Sequence, residues 1–505
     1  MKNNKREERY SKAYDEFKKK YLTALDEALD NNNHEEAVKI LNTLLEIFPD
    51  NPQLLLLLGR CYLNLDKPIN ALLTLKKCKV EPSYEAELLT MLGVTYEELY
   101  LNELAIQVAR RLIEIGEGSE EVYSSLAKIL SIHGYANEAI KVAKEGLAIN
   151  HLWDDLRYLL GMTYLYLKEN QEALTILKQL KENGYPFAQN LSELIEKDDP
   201  EVDKVEIIEE KRQAEEHVLR AWQLLRYGEK DRAIRELIDA LIKNGDLAIA
   251  YTRLGYIYDN YGLLDEGLTL HKQATEKDPN CAEAYNNMGY VFQVKEDIQK
   301  AIEAYTKALE IDPNFVPAHN SLGCLYDTFG DYEKGIAHFK QALKIDPNRA
   351  ITWHNLGYAY KASGKIDDAV AAYKTAIKFN PKSLARTNLA KIYRELKRYE
   401  DAKAELLEFL KIDPECLVAW FELALCYMEL GEKKKFHVAI ERAMVLPARD
   451  PIELFEKAQF MDVFDKEKAI EFWTQFLIVA EHHFVEPDWI SYAKKRLAEL
   501  TGSTH

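Results

Sequence analysis

Small residues recur in this chain at a fixed interval of 34: Gly59, Gly93, Ala127 and Gly161, and later Gly255, Gly289, Gly323 and Gly357. A second series, Ala71, Ala105, Ala139 and Ala173, keeps step with the first. A constant period of this length marks one supersecondary unit copied many times, which leaves little room for an ordinary catalytic domain. The clearest copy reads Trp353-x-x-Leu356-Gly357-x-x-Tyr360, then Ala369-x-x-x-Tyr373, then Pro381. Leu356, Gly357 and Tyr360 fall on one face of a first helix, at three- and four-residue spacing. Gly357 lets a partner helix come close, and Ala369 is the small residue expected to meet it. Pro381 closes the second helix, because proline cannot continue one. A lone helix pair cannot bury its apolar face, so the next copy must cover it and an all-α stack of helix pairs results.

About thirteen copies can be counted, in two runs of different phase. Five begin near residues 18, 52, 86, 120 and 154, the earliest being a poorer copy built on Leu25, Ala37, Leu41 and Pro49. Eight follow from near 214, where Ala221, Ala233, Leu237 and Ala240 fit the pattern; Ala390 and Ala424 continue it, and a degenerate last copy uses Ala469, Trp473 and Phe476. Prolines 279, 313, 347, 381 and 414 mark the repeat ends in this run. Between the runs a half-repeat, Phe187 to Ile195, is followed by a charged stretch around Pro200 that suggests an exposed connection. The organisation expected is a charged lead-in (1–17), a first array (18–196), an acidic linker and helix lead-in (197–213), a second array (214–484) and a capping helix with tail (485–505). Nearest-neighbour stability then predicts two independently stable arrays, the first capped by Phe187 and Leu191.

On these residues the chain resembles the tetratricopeptide repeat (TPR) family. That resemblance implies a right-handed superhelix whose first helices line an inner groove through their second, fifth, sixth, ninth, twelfth and thirteenth residues. In the second run the sixth position carries Arg253, Asn287, Ser321, Asn355 and Asn388, and the ninth carries Tyr256, Tyr290, Cys324, Tyr358 and Lys391. The fifth adds Thr252, Asn286, Asn320 and His354; the twelfth and thirteenth add Asp259, Gln293, Asp327, Lys361, Arg394 and Glu395. The protein-binding residues expected are Arg253, Tyr256, Asn286, Asn287, Tyr290, Asn320, Asn355, Tyr358, Asn388 and Lys391. An asparagine amide both donates and accepts, so it can pair with the backbone of an extended peptide of any sequence. Asn287, Asn355 and Asn388 are similar to the asparagine ladder in the superhelix of O-linked N-acetylglucosamine transferase, with Ser321 interrupting the series and no catalytic portion present. Two readings of this column stand side by side: peptide binding, or consensus filling by solvated amides. The lysine, asparagine and arginine pattern by which other TPR domains clamp a chaperone carboxylate tail is not formed around Asn287 or Asn355.

Composition narrows the partners. A net charge of −18 disfavours nucleic acid, since phosphate binding needs a basic face, and gives basic protein segments a mild preference. No apolar run reaches the length of a membrane span, and the basic start lacks the apolar stretch of a signal peptide. The six cysteines form no CxxC pair, which suits a reducing cytoplasm. No glycine-rich phosphate loop, HExxH or GxSxG occurs; His482 and His483 point to different helix faces. His319, His338 and His354 come from neighbouring repeats and could approach one another, but His319 takes the packing position of Tyr285 and Trp353. The expectation is a non-catalytic binding scaffold or adaptor with no metal, cofactor or catalytic residue. The alternative is a regulatory or targeting subunit whose catalytic activity lies in another chain. An apolar inner face in the first run, including Leu22, Leu29, Leu56 and Tyr158 and continued across the phase slip by Trp222, marks either an interface, self-association among the options, or a surface covered internally.

Overall fold

The computed structural model describes residues 21–79, 82–132, 135–167, 169–183, 185, 200–448, 451–480 and 487–501. Among the described residues the chain is built of helices and turns, with no strand. In the second run the first helices start at Ala248, Ala282, Val316 and Ala350, and their partners at Leu264, Ile298, Tyr332 and Ile366, so both series advance by 34 residues.

The glycine column is explained by an aromatic ring. A Cβ at Gly323 would stand 2.5 Å from Phe339, and one at Gly357 would stand 2.8 Å from the ring of Tyr373. The group lying against Gly357 is therefore Tyr373, one turn beyond the Ala369 that the sequence suggested. Ala369 is itself wholly buried. These two pairs thus need a hydrogen on one helix to seat a six-membered ring from the other, whereas Gly255 seats the His271 imidazole and Gly59 the Leu75 side chain; close packing makes added volume costly.

Turns follow from the same local chemistry. Asp346 precedes Pro347 in an extended conformation, as the proline ring demands, and its Oδ1 accepts from the Asn348 amide at 3.2 Å. The Pro347 carbonyl then accepts the indole N–H of Trp353 at 2.8 Å, and Pro414 takes that of Trp420 at the same distance. Within repeats the turn needs a left-handed residue. Gly330 supplies it at φ 77°, whereas Glu296 adopts φ 61° without the freedom of glycine.

The chain divides into two compact units, Met1–Val291 and Phe292–His505. In the first unit, residues 200–213, expected as part of an acidic linker and helix lead-in, form the first half of one 27-residue helix, Pro200–Arg226. Proline is tolerated at a first helical position, and no glycine or proline interrupts the run until Gly228. The half-repeat Phe187 to Ile195, the stretch 197–199, residues 1–20 and the His482-His483 pair lie outside the described residues.

After this helix the chain packs back on the first run. Tyr258 is fully buried and donates its hydroxyl to the Leu99 carbonyl at 2.7 Å; Tyr100 donates to the Leu241 carbonyl at 3.2 Å. Lys76 Nζ reaches Glu266 Oε1 at 2.8 Å, and Arg235 pairs with Asp66 at 2.5 Å. Leu72, Leu99 and Leu101 share one apolar core with Leu237, Leu254 and Tyr258. The two runs are therefore not separately packed as nearest-neighbour stacking alone suggested. Side chains from either side of the phase slip bury one another.

The apolar inner face of the first run resolves residue by residue. Leu56 is covered by Leu75, Leu88 and Met91, whereas Leu22 and Trp222 remain exposed, with the Arg226 guanidinium 5.2 Å from the indole. In the second unit the helix Pro487–Thr501 packs Trp489, stacked on Phe455 at 4.6 Å, and the buried Ala493 against the last helix pair, around Trp473 and Phe476.

Candidate functional site

Short first helices thirteen residues long carry the expected groove positions, and in three of them a ring from the partner helix lies against the glycine, at Gly255, Gly323 and Gly357. In the first unit, Tyr256 and Tyr290 are about half exposed, at 50% and 49%. Burial of the remainder, with Asp259 and Tyr256 nearby, pushes the Tyr290 phenol up. Arg253 is tied to Glu283 at 3.0 Å, so its guanidinium is already engaged. Asn286 Nδ2 donates to Asn287 Oδ1 at 3.4 Å, while Asn287 Nδ2 is buried and has no hydrogen-bond partner.

In the second unit the asparagines do something the sequence did not suggest. Asn320 Oδ1 accepts from Thr352 Oγ1 at 3.1 Å and from Asn355 Nδ2 at 3.3 Å; Asn355 Nδ2 also lies 3.2 Å from Cys324 Sγ. Asn388 Nδ2 sits 2.8 Å from His354 Nε2, so the imidazole accepts there, and burial lowers its pKa. These amides clasp one repeat to the next, each bond contributing about 1 kcal/mol net. They are neither wholly solvated nor wholly offered to a ligand. Tyr358, one turn beyond Asn355, is 55% exposed. Lys391 lies 3.5 Å from Glu456 Oε1.

Lys391 opens on a feature that the repeat template missed. A pocket of about 320 Å³ is lined by Phe421, Phe460, Phe464 and Met428, with Glu422 and Glu456 beside the lysine. Phe421 and Phe460 stack at 4.3 Å. The signal in the sequence was the aromatic series Phe455, Phe460 and Phe464, in the degenerate last copy.

The histidines are explained by packing. His319 Nε2 lies 3.1 Å from the Pro313 carbonyl, the same bond that Trp353 makes to Pro347, so Nε2 carries the proton. His319 Nδ1 is then an acceptor, and His338 Nδ1 donates to it at 3.2 Å. His354 stands apart with Asn388, and among the described residues no three His, Cys, Asp or Glu side chains are grouped to hold a metal.

Helix pairs stepping by 34 residues, with a glycine under an aromatic ring and an Asp-Pro turn between copies, define a helical-repeat protein of the helix-turn-helix kind. The chain belongs to the tetratricopeptide repeat family: models of that repeat match residues 28–77, 155–188, 282–315, 304–337, 330–364, 350–383 and 385–416. No curated protein matches it as a relative. Similar solved structures include MamA, at 26% identity over 32% of this chain and 95% of that one, with a TM-score of 0.28. YrrB, described as a TPR protein with an unusual peptide-binding site, is 22% identical over 36% of this chain and 95% of its own, with a TM-score of 0.30. Yeast Tom70 is 15% identical, covering 84% of this chain and all of its own (100%), with a TM-score of 0.41. TPR arrays are protein–protein interaction scaffolds and generally not catalytic. Among the described residues no helix is long and apolar enough to cross a membrane.

Proposed function

We propose that the ninth-position tyrosines of the second run mark, on each unit taken by itself, a face where an extended segment of another protein lies, making the chain a binding scaffold or adaptor. The observation that carries this is the exposure of Tyr256 and Tyr290 in the first unit and Tyr358 in the second, between 49% and 55%. The fold does not need these rings in the open, and exposed tyrosine offers flat apolar area with a hydroxyl still able to bond a backbone. Asn287, whose Nδ2 is buried without a partner, adds an unused donor beside Tyr290. The net charge of −18 favours basic segments over acidic ones. Cys61 and Cys426 are buried thiols, which supports a reducing, cytoplasmic setting.

The test is the triple substitution Tyr256→Ala, Tyr290→Ala and Tyr358→Ala in the full chain. Tyrosine anchors are worth roughly 2 kcal/mol each, so capture of partner proteins from a cell extract should fall well over a hundredfold. Helicity should be unchanged, because these rings are half exposed. An unaltered set of captured proteins in the folded triple variant refutes the reading. The asparagines are a poorer probe, because Asn355 and Asn388 also hold neighbouring repeats together.

A further inference from the structure

Two repeats carry an aspartate at the twelfth position of the first helix and a glycine facing it at the twentieth: Asp259 with Gly267, and Asp327 with Gly335. In the first unit one carboxylate oxygen is held internally, while the other, Asp259 Oδ1, is buried without a partner. Asp259 Oδ2 is 2.9 Å from Nε2 of His271, whose ring lies over Gly255, and both side chains are buried. In the second unit the residue equivalent to His271 is Phe339. Its ring lies over Gly323 in the same way but brings no donor. Asp327 therefore has no counterpart to the bond between Asp259 Oδ2 and His271; its Oδ1, like that of Asp259, is buried without a partner. In the preceding repeat the twelfth position is the neutral Gln293, satisfied by the Tyr305 hydroxyl at 3.0 Å.

Asp327 has thus kept its carboxylate and lost its internal partner. Burial is the only cause acting on its acid, which is pushed up to about 6; no cation offsets it. The lysine at the twelfth position of the next repeat and the one in the first turn of the partner helix are engaged elsewhere: Lys361 bonds Glu395 at 2.7 Å, and Lys334 bonds Asp331 at 2.6 Å. The titratable groups that feel the charge are Cys324, one turn earlier on the same helix, and Tyr373, on the helix Ile366–Phe379. A half-buried carboxylate with no internal donor, where the equivalent Asp259 has one, points to a donor supplied from outside to Oδ2, the oxygen that is not enclosed.

We propose that Asp327 selects a lysine or arginine in the segment bound by the second unit, its carboxylate receiving the ammonium or guanidinium in a charge-assisted hydrogen bond. This rests on the reading that exposed tyrosines mark a segment-binding face, and it adds the chemistry of one side chain in that segment. Asp327 is half-buried, so a side chain can reach it, while Tyr358 on the next first helix stays open to the rest of the segment.

The experiment uses the immobilised full chain and two synthetic pools, acetyl-XXXKXXX-amide and acetyl-XXXQXXX-amide, in which X is any uncharged residue. At neutral pH the lysine pool should be retained about tenfold better, as expected of one charge-assisted bond. Asp327→Asn should bring the ratio to about one without lowering retention of the glutamine pool. Phe339→His, which rebuilds the pairing seen between Asp259 and His271, should also abolish the preference by occupying Asp327 internally. Should Phe339→His fail to fold, as judged by its circular dichroism melt, Asp327→Asn decides alone. A ratio that stays near ten in Asp327→Asn overturns the proposal. So does a ratio of one in the unaltered chain when both pools are retained, and that result leaves the tyrosine reading standing. Retention of neither pool overturns both.

Discussion

Replacing Tyr258 by phenylalanine tests whether the two runs are truly welded. The hydroxyl is fully buried and donates at 2.7 Å to the carbonyl of Leu99, a residue with no exposure of its own. Removing it deletes one hydrogen bond and strands a carbonyl that water cannot reach. The loss should be about 2 kcal/mol, between the net value of an ordinary bond and the full penalty of an orphaned acceptor, or roughly thirtyfold in the folding equilibrium. Tyr100→Phe removes the companion bond to Leu241, but that tyrosine is only partly buried, so its loss should cost less than half as much. Urea unfolding of the full chain, followed by circular dichroism, reads both. A protease site placed at residue 199 gives the companion measurement: after cleavage the pieces should co-elute, because Leu72 and Leu99 on one side share a core with Leu237 and Leu254 on the other. A Tyr258→Phe midpoint within error of the unaltered chain, together with pieces that separate on cleavage, would refute the shared core and return the runs to independence.

Two further substitutions have a stated direction. Glu296→Gly should raise stability by about 1 kcal/mol, since Glu296 holds φ 61° where the equivalent residue in the next repeat is Gly330; thermal melts of the two chains decide it, and a lower melting point contradicts the strain argument. Asp327→Asn should stabilise the chain more at pH 8 than at pH 5. The acid titrates near 6 when folded, above its ordinary 3.8, so the folded state binds the proton more tightly and loses stability as pH rises through 6. A urea midpoint difference that is equal at both pH values removes burial as the cause.

The helix-pair step of 34 was legible without coordinates because it rests on local rules. Gly357 must be small wherever a ring is seated, Pro347 must end a helix wherever it falls, and the first helices at Ala248, Ala282, Val316 and Ala350 follow from that spacing. The column of exposed tyrosines was legible for the same reason: a helical period places Tyr256, Tyr290 and Tyr358 at one register, and each is about half exposed. The role of the asparagines was not legible. Asn355 and Asn388 reach partners 35 and 34 residues away, and whether an amide faces its neighbour or the solvent depends on the angle between repeats, which no single repeat encodes. Asp327 was visible as a groove residue, but its lack of a partner depends on Phe339 lying across from it.

What the sequence determined by itself is therefore everything with a short range: helix bounds, turn chemistry, the repeat family and the register of the exposed rings. What only the tertiary structure decided is the long-range packing. Tyr258 meets Leu99, and Glu266 meets Lys76, across 159 and 190 residues. No periodic pattern marks such a contact, because it pairs side chains of different repeats, and the hydrophobic effect that drives it depends on area removed from water rather than on spacing along the chain. The phase slip announced that the stacking changes between the runs. Only the burial of Tyr258 and Leu254 against the first run shows that the change is a weld and not a gap.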